Sequence, residues 1–196
     1  MPRSVASALL VAASVALGGT ALAGCDGQDS LLGEFRGTDQ VGALSRAVEG
    51  EAVYTVVETA RGPEFVLGLF VGDLFENDRD EYDYVLFRLP GARPGVGAYA
   101  IDDDPGLRAA SATIARVDEA DDVLDAEGVV LYGTTGTLAI TSVDGYGFAG
   151  GTYSFEAQGV RVRPSAGAVS GAARGQFEAY YAEPAVFRSL GLDLGL

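Results

Sequence analysis

Two-residue alternation cut by glycine, proline and aspartate constrains this chain more than any other feature. In Thr137-Leu138-Ala139-Ile140-Thr141-Ser142-Val143, Leu138 and Ile140 share one face while Thr137, Ala139 and Thr141 share the other. A helix cannot sort residues with that period, but a half-buried strand must. Asp144-Gly145 follows, the dipeptide preferred in a tight type I′ hairpin turn. The return arm runs from Tyr146 to Ala157, and its Gly150-Gly151 pair predicts a bulge or a close backbone approach.

Similar signals recur about every ten residues. Val53–Val57 is rich in branched and aromatic side chains, and Arg61-Gly62-Pro63 ends it. Phe65–Val71 is continuously apolar and reads as a strand buried on both faces. Further strands are expected at Tyr84–Leu89, Ala98–Ile101, Ala109–Val117 and Gly175–Tyr181. Asp102–Gly106 reads as a turn, and Asp118–Gly128 as a loop or one helical stripe. A short helix or flap is expected over Pro184–Leu196. Eight or more antiparallel strands predict an all-β domain, most simply a β-sandwich, with a lipocalin-like β-barrel as the alternative.

Upstream, Arg3 precedes an apolar run from Val5 to Leu17, and small residues lead into Leu22-Ala23-Gly24-Cys25. A positive start, a short apolar stretch and small residues near the end make a secretory leader. The run is too short to span a bilayer comfortably. Leu22–Cys25 resembles the lipobox of bacterial lipoproteins, in which the leader is cut before the cysteine. The resemblance implies a lipid attachment at Cys25, with palmitate-like acyl chains on its thiol-linked glyceride and its amino group. Cys25 is the chain's single cysteine, so it has no disulfide partner to serve instead. Two or more chains anchor stably where one does so marginally.

This divides the sequence into a signal peptide over 1–24, a lipidated N-terminus and tether over 25–50, and a sandwich domain over 51–196. A first strand is expected to start within Val41–Val48. The segments Gly136–Thr141, Gly151–Ala157 and Gly175–Ala179 also share a glycine followed by alternating apolar residues. Over 136–181 that pattern resembles the C-terminal half of β-sandwich lipoproteins with no assigned activity, which implies a fold and no site.

Composition matters mainly for what it excludes. The chain has no histidine and no lysine, and its net charge is −15, or −16 once Arg3 leaves with the leader. Zinc, copper and haem ligand sets cannot be built without histidine and a second cysteine. Serine–histidine, cysteine–histidine and lysine-based nucleophile systems are excluded with them. The acidic balance disfavours nucleic acid. Its acids are spread along the chain, as on a solvated polyanionic surface.

Carboxylates are the chemistry left. Glu156 and Glu178 lie on well-marked strands and could form a glycosidase pair, although alternation puts both on the polar face, where a glutamate is ordinary. The run Asp73–Asp83 offers oxygen ligands for calcium, Asp78, Asp80 and Asp83 first, but it lacks an EF-hand glycine and contains Arg79. A solvated loop accounts for it. The expected protein is therefore a cell-envelope module held to a membrane through Cys25, its domain outside the cytoplasm. It acts in binding or structure rather than catalysis, with no catalytic, cofactor or metal residues and no cofactor. A barrel carrier for a small apolar ligand and a carboxylate hydrolase are the alternatives.

Overall fold

A computed structural model describes residues 32–72, 81–103, 109–118, 128–145, 147–161, 167–189 and 192. The strands are β1 (Gly33–Val41), β2 (Leu44–Thr59), β3 (Gly62–Val71), β4 (Glu81–Pro90), β5 (Gly97–Asp102), β6 (Ser111–Asp118), β7 (Val129–Val143), β8 (Phe148–Arg161) and β9 (Ala168–Tyr181), followed by helix α1 (Pro184–Ser189). Cys25, Asp78, Asp80 and most of 118–128 lie outside the described residues.

The sheet runs β7-β6-β4-β3-β2-β1-β9-β8, and β8 pairs back with β7. Eight antiparallel strands therefore close into a barrel, and the expected sandwich is corrected to that alternative. Period-two alternation fits either fold, since both have one inner and one outer face. Closure is decided by β7, whose fifteen residues are long enough to serve two neighbours on one side. Its first half pairs with β6 and its second half with β5, while β8 pairs along the other side. β5 and β6 thus form one interrupted stave of the wall, joined where Ala110 bridges to Ile101.

Strand pairing starts nearer the N-terminus than the Val41–Val48 expected for the first strand. β1 begins at Gly33, and its whole length pairs with β2 on one side, with Glu34 to Val41 also pairing with β9 on the other. Residues 33–50 therefore belong to the barrel, not to a 25–50 linker. Phe35 and Val41 on one face of β1 are buried, but the glycine, the polar residues and the charges between them hide the alternation. The expected Asp144-Gly145 two-residue turn is also corrected. Asp144 N donates to Phe148 O at 3.1 Å, and its carboxylate accepts from Phe148 N at 2.9 Å, which leaves three residues in the loop. At Gly150-Gly151 a register shift does occur, but the extra residue is Thr141 on the facing strand β7.

The lumen is packed. One cluster of buried side chains includes Phe35, Phe65, Leu67, Phe87, Leu131, Leu138, Tyr153, Phe155 and Phe177. Phe87 of β4 lies 5.5 Å from the Tyr153 ring and 5.6 Å from that of Phe155, both on β8. β6 and β7 separate β4 from β8 in the wall, so these contacts cross the lumen. An eight-stranded barrel is just wide enough for side chains to fill in this way.

A second cluster lies outside, where Val53, Val57, Val66, Phe70 and Leu86 are covered by Phe187 and Leu192. β3 is consequently buried on both faces from Phe65 to Phe70, as its unbroken apolar run predicts. The expected terminal helix is α1, which supplies Phe187.

Candidate functional site

The barrel has two chemically distinct ends. At one, the lumen-facing phase carries charge: Asp39 follows Phe35 on β1, Arg46 precedes Val48 on β2, Asp83 precedes Val85 on β4, and Arg116 follows Ile114 on β6. Asp39 and Arg46 are directly paired across β1 and β2, as are Asp83 and Arg116 across β4 and β6. Arg46 donates to both oxygens of Asp39, at 3.1 and 3.2 Å. The two strand pairs then exchange partners. Arg46 bonds Asp83, and Arg116 Nη2 lies 2.5 Å from Asp39 Oδ1. Four charges sum to zero in a closed ring that plugs this end.

Burial and pairing compete inside the ring. Burial works against the charge of Arg46, but hydrogen bonds to Asp39 and Asp83 outweigh it and raise its affinity for the proton. For Asp83 burial dominates and raises its carboxyl above the ordinary value, against the opposing hydrogen bond and charge of Arg46 and the charge of Arg116. A raised carboxylate value means that the folded state keeps a proton the unfolded chain has lost. Its contribution is fully present below the unfolded value and is lost as pH rises through the folded one. Asp83→Asn should therefore gain stability relative to the parent as pH rises from about 4 to about 7, read from urea midpoints. A difference that does not change with pH would refute this.

Tyr153 reaches toward the ring from β8. Gly175 and Gly37 lie beside it in register, and a Cβ on either would come within 2.7 Å of the phenol oxygen. Side-chain-free positions are what admit the ring there. Burial, and then the nearby Asp39 charge, push the Tyr153 hydroxyl's proton affinity up, and the oxygen has no hydrogen-bond partner among the described residues.

At the other end, the β4–β5 link and the β7–β8 turn approach Tyr54 and Val56 of β2 and the last residue of β9. They enclose a pocket of about 230 Å³ lined by Tyr54, Phe65, Arg93, Pro94, Asp144 and Tyr181, among others. Tyr54 stacks on Phe65 at 4.9 Å and meets Tyr181 edge-on at 5.8 Å. Arg93 donates to the main-chain oxygen of Asp144. Burial raises the Tyr54 hydroxyl's proton affinity, opposed by the Arg93 charge. Apolar walls with a few convergent polar groups at a barrel mouth are the ordinary make-up of a small-ligand site.

The carboxylates singled out from sequence do not converge. Glu156 pairs in register with Ala172, and Glu178 with Gly150. Six steps along β9 between those levels put the two about 20 Å apart, against the roughly 5–10 Å that glycosidase pairs require. They also line separate grooves, of about 510 and 380 Å³, on the outer face. Asp83, expected among calcium ligands, is instead held by Arg46 in the charged ring. Among the described residues, no group of three or more acids is arranged to hold a metal. Sequence reading missed Asp39, Arg46 and Arg116, although each stands in phase with buried neighbours. No family model, curated protein or solved structure matches the chain.

Proposed function

We propose that this chain is a bacterial envelope lipoprotein whose barrel acts outside the cytoplasm as a non-catalytic binding module, with the Tyr54–Arg93–Tyr181 pocket as its binding site. The observation that carries the reading is the meeting of aromatic walls and a guanidinium at the barrel mouth, while the lumen itself is filled. A lumenal carrier is disfavoured by the ring contacts between Phe87, Tyr153 and Phe155. A hydrolase built on Glu156 and Glu178 is disfavoured by their separation.

Anchoring rests on Leu22–Cys25. Cys25→Ser should leave the barrel folded, since β1 begins eight positions later at Gly33, and should move the protein from the membrane fraction to the soluble one. Retention of the variant in washed membranes would overturn the lipid anchor.

A further inference from the structure

We propose that the barrel stands on the membrane with its mouth end down, seating the rim formed by Tyr54, Tyr181 and Arg93 in the phospholipid headgroup layer. The inference rests on lipidation of Cys25 and adds the surface and the lipid partner. Its first support is the length of the leash. Seven residues, 26–32, separate Cys25 from Gly33, and they span at most about 25 Å when fully extended. Beyond the first residue of β1, β2 continues and pairs with β9 through Val53–Tyr180 and Tyr54–Tyr181. Gly33 pairs with Ala52, so the chain leaves the wall two register levels from the pocket's two tyrosines.

Reaching the charged end would require the leash to run back along β1, whose eight steps from Gly33 to Val41 cover about 27 Å of strand. A fully extended leash of about 25 Å would fall short of that. Charge opposes that orientation too. The connections leaving the charged end, 73–80, 119–127 and 162–166, hold nine acids and two arginines. Acids brought against an anionic phospholipid surface are repelled over about one Debye length, near 8 Å at physiological salt.

The mouth offers what an interface accepts. Tyrosine rings with a polar tip belong at headgroup level, and a guanidinium matches phosphate geometry. Tyr181 is 46% exposed, and Val96, in the link beside Arg93, is 67% exposed. Leu44, at the charged end, is 73% exposed and is the apolar contact that the opposite orientation would use. The two positions can be compared directly.

The full lipoprotein, reconstituted in vesicles of equal parts phosphatidylcholine and phosphatidylglycerol, would carry Val96→Cys or Leu44→Cys. With Cys25 acylated, the introduced residue is the only free thiol, and it would take a fluorescent label. Lipids with a quencher on the headgroup should quench the label at 96 several-fold more than the label at 44. Arg93→Ser combined with Tyr181→Ser should weaken that quenching while leaving the protein on the vesicles. Equal quenching at the two positions, or more at 44, would overturn the orientation and leave the anchor intact. If instead Cys25 itself takes the label and the protein stays off the vesicles, the anchor fails, and the orientation that depends on it fails with it.

Discussion

Asp39→Ala should lower the free energy of unfolding by about 3–5 kcal/mol, the range for removing one partner from a buried ion pair. Asp39 is only 3% exposed and touches both guanidinium groups of the ring. Its loss leaves Arg46 and Arg116 facing each other across the lumen with a single carboxylate, Asp83, between them. The penalty is that uncompensated charge, not the net worth of the bonds, because desolvating four ions offsets most of their attraction. A domain with total stability of roughly 5–15 kcal/mol would lose a large share of it.

The same reasoning fixes the control. Asp39→Ala with Arg46→Ala removes one positive and one negative group, leaving Asp83 and Arg116 as a balanced pair in register. The double variant should be more stable than the sum of the two single losses allows, with a coupling of about 1–3 kcal/mol in urea unfolding. Additive losses would mean that the ring does not act as a unit. A loss below about 1 kcal/mol in the single variant would place Asp39 energetically with surface ion pairs.

The strands themselves were legible because alternation is local. Leu138 and Ile140, or Phe65 through Val71, announce their faces without reference to the rest of the chain. The barrel was not legible, because nothing within β7 records that one side must serve both β5 and β6. The ring was half-visible. Asp39 stands two residues before Val41 and four after Phe35, Arg46 two before Val48, Asp83 two before Val85, and Arg116 two after Ile114. Each is a charge at an apolar phase. A single such residue reads as a strand end or a loop, and only the closed barrel puts four of them at the same end. The mouth pocket carries still less local signal. Tyr54 reads as a core aromatic, while Arg93 and Pro94 read as loop punctuation, and they meet only because the β4–β5 link and the β7–β8 turn share one end of the barrel.

Phe187→Ala should cost about 3–5 kcal/mol if the whole domain unfolds as one unit, as for other fully buried phenylalanines. Phe187 has no exposed surface, its ring stands 6.0 Å from that of Phe70, and its main-chain oxygen accepts from Leu192 N at 3.2 Å. Gly68 makes the seat: a Cβ there would come within 3.0 Å of the Phe187 ring. A six-residue helix has little stability alone, since nucleation outweighs so few hydrogen bonds. Docking, to which Phe187 contributes the largest side chain beside Leu192 and Val186, therefore holds α1, and the loss has a ceiling at the free energy of that docking. Below the ceiling, urea midpoints fall and all probes move together. Above it, α1 detaches first: amide protection is lost over 184–189, and Val53, Val66 and Phe70 become exposed while the barrel's β signal persists. Hydrogen exchange separates the two regimes, because only the second strips α1 without touching β7, β8 and β9. A change within about 0.5 kcal/mol, with α1 protection intact, would show that Phe187 does not hold the helix to the wall.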